Sequence, residues 1–127
     1  DLNNYVSAIV DWNLVVDLNG GPYHNRTGGR KAQIVVDAAK NSFSLQPLYY
    51  AFGHFSKFIE RGAKRIGCSS YIDNLKVSSF INPNGEVIVE ILNKGDKTAS
   101  PKLRINGSSA ALNIPAKSLT TLVVPTK

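Results

Sequence analysis

Asp11-Trp12-Asn13-Leu14-Val15-Val16-Asp17-Leu18-Asn19-Gly20-Gly21-Pro22 joins an apolar run to a polar turn. With Ile9 and Val10 ahead of it, the run through Leu14, Val15 and Val16 is nearly continuous, which is how a strand covered on both faces reads, as in a parallel sheet under helices. Trp12 and Asn13 interrupt it. The chain's only tryptophan stands beside a side-chain amide, shortly before Gly20, Gly21 and Pro22 break the strand. A large amphipathic ring in that place suits the wall of a polar ligand pocket. The competing reading is a core tryptophan with its ring N–H satisfied.

Working outward, residues 19–29 are turn and loop chemistry, rich in Gly, Asn and Thr, with His24 among them. His24 reads either as a ligand contact at a strand's C-terminal end or as an exposed loop histidine. Residues 32–37 form a short strand. Beyond Lys40-Asn41-Ser42, the residues Leu45, Leu48, Tyr49, Phe52, Phe55 and Ile59 recur at three- and four-residue steps and predict one helix with an apolar core-facing stripe. Ser44 is placed to cap its start, Pro47 is tolerable in the first turn, and Gly62 is placed to end it. Gly53 in mid-helix predicts close contact with another backbone. His54 falls outside the stripe and reads as a satisfied interface histidine, because no second metal-ligating side chain stands at ligand spacing.

From Ala63 the period changes. Residues 63–69, 75–81, 86–92, 102–106, 110–114 and 119–124 are short, mostly alternating runs separated by turn residues, with Asn84-Gly85 the strongest hairpin signal. Val87, Val89 and Ile91 share one face, and Ile88 and Leu92 share the other with Glu90. Half-buried antiparallel strands in succession predict a β-sandwich or small barrel. The chain as a whole is mostly β with one clear helix.

Gln46-Pro47-Leu48-Tyr49-Tyr50 and Gly53-His54-Phe55-Ser56-Lys57-Phe58-Ile59, taken with the Asp11-Trp12-Asn13-Leu14 segment, resemble the C-terminal part of family 30 glycoside hydrolases. The resemblance runs from about Tyr5 to the end and thins after Gly67. It implies that residues 1–62 are the last strand, loop and helix of a (β/α)8 barrel and residues 63–127 an antiparallel β-sandwich domain. It also implies that Trp12 binds sugar, with Asn13 beside it as a second substrate-binding candidate and Asp11 orienting neighbours. Both catalytic glutamates of the family lie on barrel strands ahead of the Asp-Trp-Asn-Leu segment, so no catalytic residue carries over. The partner implied is the N-terminal remainder of the barrel or another chain, which in the family also lends strands to the sandwich. The substrate implied is a β-glucoside, the glucosyl bond of a glycolipid. Where relatives carry asparagine and tryptophan after Gly-Gly-Pro, this chain has Tyr23 and His24, which bears on specificity.

A chain of 127 residues at 43% apolar composition can bury a real core and suits one domain or a domain with a small appendage. No run of about 18 apolar residues occurs. The start, Asp1-Leu2-Asn3-Asn4, has neither methionine nor a basic-then-apolar segment, as expected of a mature or excised chain. Cys68 is alone, which precludes an internal disulfide, and reads as a small buried hydrophobe beside a strand. Asn25-Arg26-Thr27 and Asn106-Gly107-Ser108 are glycosylation acceptors and point to a lysosomal or secreted route. The net charge of +6 is spread widely, without stacking aromatics or a recognition helix. That argues against nucleic acid and fits an anionic lipid surface or solvated charge.

A retaining glycosidase needs two carboxyl groups about 5 to 5.5 Å apart. Glu60, Glu86 and Glu90 are the only glutamates, and salt bridging or solvation accounts for all three. There is no nucleophile elbow, phosphate loop or zinc spacing, and no cofactor is called for. Two functions of different class follow: the C-terminal segment of a retaining β-glycosidase, inactive by itself, or a stand-alone noncatalytic β-module that binds carbohydrate or a partner through Trp12.

Overall fold

The computed structural model describes residues 2–21, 29 and 31–125. The chain folds into two compact units, one of Val6–Gly53 and the other of Asp1–Tyr5 with His54–Lys127.

In the first unit, β1 (Val15–Asp17), β2 (Ile34–Asp37) and β3 (Ser42–Leu45) form one sheet in that order. β1 runs parallel to β2, with Val15 opposite Ile34, and β2 runs antiparallel to β3, with Asp37 opposite Ser42. The long strand expected before the Gly-Gly pair is therefore only three residues, and of its apolar run only Val16 is buried. Ile9, Val10, Leu14 and Val15 are exposed. Among the described residues β1 has a strand on one side alone, so it lacks the cover that an interior parallel strand receives. Ser44 does not cap a helix but lies inside β3. The hairpin was hidden in the sequence because Asn41 takes a left-handed conformation (φ 48°), which lets a four-residue turn return the chain on β2.

The turn after β1 is built on one carboxylate. Asp17 accepts the N–H groups of Asn19 (2.8 Å) and Gly21 (2.9 Å), and its own N–H donates to the Gly21 carbonyl at 2.8 Å. A Cβ on Gly21 would stand 3.3 Å from that carboxylate, so a side chain there would press on the turn's hydrogen-bond acceptor.

The helix α1 (Pro47–Phe58) starts on its proline, where a missing N–H costs nothing. Its apolar stripe forms, yet no residue of it is buried: Phe52 and Phe55 are half-buried and Tyr49 is exposed. A Cβ on Gly53 would meet no described atom within 4 Å, so the close backbone contact expected there is not made. The helix ends before Gly62, which takes φ 90° in the following turn. Asn82 is what receives its end. The buried Asn82 amide donates to the Phe58 carbonyl (2.9 Å), one of the groups a helix C-terminus leaves open, and accepts from the Glu60 N–H just beyond it (3.0 Å).

The second unit contains β4 (Lys64–Ile66), β5 (Leu75–Ile81), β6 (Val87–Asn93), β7 (Lys102–Ile105), β8 (Ser108–Ala111) and β9 (Ser118–Val124). β4, β5, β6 and β9 form an antiparallel sheet in that order, and β7 pairs with β8. Asn84-Gly85 turns β5 into β6, Gly85 at φ 89°. Asn106 and Gly107, both at positive φ (47° and 79°), make the two-residue turn that starts β8 earlier than expected, at Ser108. Leu75, Val89, Ile91 and Ile114 form the core, with Val77, Val87, Ile105 and Leu112 packed on it. Beside this core runs a groove of about 760 Å³, lined by Val77, Val89, Ile105 and Leu112 among others. Cys68 lines it too and is exposed, not buried, because β4 stops at Ile66 and the groove lies open past that point.

Candidate functional site

Trp12 and Asn13 lie on the segment that leads into β1, directly before Leu14, whose carbonyl accepts the Ile34 N–H at 3.0 Å. That bond anchors the segment to β2. The Trp12–Asn13 peptide is cis, Trp12 is 73% exposed and Asn13 is half-buried. Trp12 is thus not packed into a core by the described residues. An exposed indole offers a flat apolar face and one N–H donor, and the neighbouring amide offers two donors and an acceptor. Such a pair can hold a polyol by stacking and hydrogen bonding. It cannot move a proton in catalysis, since neither group titrates near neutrality. Asp11, beside them, is exposed. His24, Tyr23 and the Asn25 glycosylation acceptor lie outside the described residues. Asn106 stands exposed at the tip of the β7–β8 hairpin, an accessible place for a glycan acceptor.

The three glutamates are not assembled into a carboxylate pair. Glu60 is exposed, and Glu86 accepts from the Asn84 amide at 2.9 Å in the hairpin turn. Glu90, expected to be salt-bridged or solvated, is not solvated: it is 2% exposed, and its carboxyl oxygens lie 2.9 and 2.7 Å from the Thr121 hydroxyl. Burial pushes its carboxyl up from 4.5 to about 7, against the opposing pull of the Thr121 hydrogen bond. The signal available in the sequence was its position between Ile88 and Leu92 on one strand face. His54, read as an interface histidine, has its partner in the Thr121 hydroxyl at 2.7 Å. Among the described residues no three His, Cys, Asp or Glu side chains stand together as a metal site. No helix among them is long and apolar enough to cross a membrane.

Two family models match the chain: the glycosyl hydrolase family 30 TIM-barrel domain over residues 1–59, and the glycosyl hydrolase family 30 beta sandwich domain over residues 62–122. The lysosomal acid glucosylceramidase of Mus musculus is 35% identical over 94 residues, covering 73% of this chain and 18% of the relative. The endo-1,6-beta-D-glucanase neg1 of Aspergillus fumigatus is 28% identical over 130 residues, covering 98% of this chain and 27% of its own length. Among solved structures, SrfJ from Salmonella typhimurium superposes with a TM-score of 0.86 at 28% identity, over 92% of this chain and 26% of that one. The chain thus spans about a quarter or less of the length of the first curated relatives it matches.

Proposed function

The chain belongs to glycoside hydrolase family 30, as the end of the TIM barrel followed by the β-sandwich, and from that premise we propose that it is the C-terminal segment of a retaining β-glycosidase resembling glucosylceramidase. On this reading residues 1–62 are the last barrel unit, residues 63–127 are the sandwich, and the substrate is a β-glucosyl bond in a glycolipid. The observation that carries the proposal is the exposed Trp12 ring beside Asn13, on the barrel-matching half of the chain.

Trp12 packs its ring on the C–H face of the sugar and excludes water from it, and Asn13 hydrogen-bonds a hydroxyl. Together they position the glucosyl unit. The acid/base and nucleophilic carboxyl groups come from the N-terminal remainder of the barrel, since the three glutamates here are a helix-end residue, a turn residue and a buried strand residue. The name of the mouse relative and the acceptors at Asn25 and Asn106 support a lysosomal or secreted route. An anionic lipid surface is the setting proposed for the chain's net charge of +6.

The test uses the fact that Trp12 is the only tryptophan, so the chain's indole fluorescence reports on this residue alone. Titration with methyl β-D-glucopyranoside is expected to change the emission saturably. Trp12→Phe, followed by calorimetry, is expected to weaken binding by ~1 kcal/mol, about fivefold. Unchanged emission at saturating sugar removes Trp12 from the site. The 127 residues by themselves are expected to hydrolyse no aryl β-glucoside. Turnover that survives repurification and is lost on substitution of Glu60, Glu86 or Glu90 overturns the assignment of catalysis to the remainder.

A further inference from the structure

Glu90 sits at the middle of β6, an interior strand, with Ser78 of β5 and Thr121 of β9 as its cross-strand neighbours. The Thr121 hydroxyl is its route outward: 2.7 and 2.9 Å from the two carboxyl oxygens, and 2.7 Å from Nδ1 of His54 on α1. The direct separation of Nδ1 from the nearer carboxyl oxygen is 3.9 Å, so the hydroxyl is the link and the ion-pair contact is secondary.

A threonine hydroxyl holds one hydrogen, which gives the chain of bonds a direction. With Glu90 ionised, the Thr121 O–H donates to the carboxylate, and the Thr121 oxygen accepts a hydrogen from Nδ1 of His54. With Glu90 protonated, its O–H donates to the Thr121 oxygen, and the Thr121 O–H turns to donate to a bare Nδ1. One proton gained on Glu90 thus reverses two hydrogen bonds and moves the proton of a neutral His54 from Nδ1 to Nε2.

We propose that Glu90, Thr121 and His54 form a proton-responsive latch between the C-terminal half of α1 and β9, in which Thr121 relays the protonation of Glu90 to His54. The latch is tight with Glu90 protonated and loosens when burial forces an ionised carboxylate to go without a full counter-charge. Among the described residues, the other charged groups near it do not supply that charge. By register Arg65 of β4 and Lys76 of β5 lie on the same sheet face, but the Arg65 guanidinium stacks 5.4 Å over the Tyr5 ring and Lys76 is exposed. On α1, the Lys57 ammonium lies 5.5 Å over the Phe58 ring. Glu86, on the same face beyond the strand end, is taken by Asn84, and β9 carries no ionisable side chain.

Burial holds the Glu90 carboxyl at about 7 in the folded chain against an ordinary 4.5. A group raised on folding contributes stability that is complete below its ordinary value and is lost as pH climbs through the raised one. The latch is therefore tighter on the acid side of neutrality and weaker on the alkaline side.

The experiment is NMR of the 127-residue chain, labelled at histidine ring nitrogens and glutamate carboxyl carbons and titrated from about pH 5 to about pH 9. His24→Gln assigns the second histidine. The Glu90 carboxyl is expected to titrate near neutrality, and the His54 ring nitrogens to show an inflection at the same pH. Glu90→Gln and Thr121→Val are each expected to remove the part of the His54 response that follows Glu90, and Thr121→Ser, which keeps the hydroxyl, to retain it. Titration of Glu90 in the ordinary carboxylate range overturns the proposal, as does a His54 profile that is the same in the wild type and both disabling variants. Should a disabling variant not fold, loss of the shared inflection in Thr121→Ser overturns the relay by itself.

Discussion

Asn93, 1% exposed at the end of β6, donates its amide to the carbonyls of Lys97, Ile114 and Pro115 at 2.9 to 3.1 Å and accepts the Gly95 N–H at 2.9 Å. One side chain closes the 94–97 turn and fastens it to the segment before β9. Asn93→Ala removes these bonds, leaving Ile114 and Pro115 only the Ala99 N–H and the Ser118 hydroxyl, and is expected to cost about 2 kcal/mol, read as a lower denaturant midpoint. Asn93→Asp is expected to cost more, since a carboxylate would face three carbonyl oxygens with no hydrogen to give. Glu90 carries the pH prediction at this scale. Its rise from 4.5 to about 7 corresponds to about 3 kcal/mol as an upper bound. The melting temperature is expected to rise as pH falls from about 8 to about 5, and Glu90→Gln to flatten that slope. A wild-type melting temperature independent of pH over that window would contradict the burial argument.

At the scale of elements, α1 is held from its C-terminal end. Its 12 residues are short for a helix to stand in water without packing. Asn82 ties the Phe58 carbonyl and the Glu60 N–H to the β5–β6 hairpin, whose own closing bond is Asn82 N–H to the Glu86 carbonyl at 2.9 Å. Asn82→Ala is expected to cost about 2 kcal/mol and to raise hydrogen exchange first at the Glu60 amide and the last turn of α1. Equal acceleration throughout β5 and β6 would mean that the helix end is not separately held. The β7–β8 hairpin depends on its turn in the same way. Gly107 at φ 79° is a conformation side chains rarely adopt, so Gly107→Val is expected to cost about 1 to 3 kcal/mol.

For the whole molecule, the open groove is the feature with consequences. Its floor is the same apolar set, Leu75, Val77, Val89 and Ile91, that forms the core of the second unit, and about 760 Å³ beside it is unfilled. Tyr71, among its lining residues, is 97% exposed. A surface of this kind is covered by a partner or binds apolar probes. The purified chain is expected to enhance the fluorescence of an apolar dye, or to run with a native mass above its 13.8 kDa. A monomer of that mass which binds no dye would show that nothing needs to cover the groove.

Local chemistry alone determined several parts of this protein. The β5–β6 hairpin follows from Asn84-Gly85 between alternating runs, and the bounds of β5 from its own pattern. The helix follows from a stripe at three- and four-residue steps, and the family from motifs around Trp12 and His54. These are legible because period and turn type are set within a few residues. Tertiary structure alone decided burial. It exposed Ile9, Val10 and Cys68, which apolar character places inside, because one-sided β1 and the open groove give them nothing to pack on. It likewise buried Glu90, which charge places outside, because β5 and β9 flank it and His54 of α1 lies near it, and a partner 31 residues away, Thr121, satisfies the carboxyl there. Periodicity says which side chains share a face; only the folded chain says what that face meets.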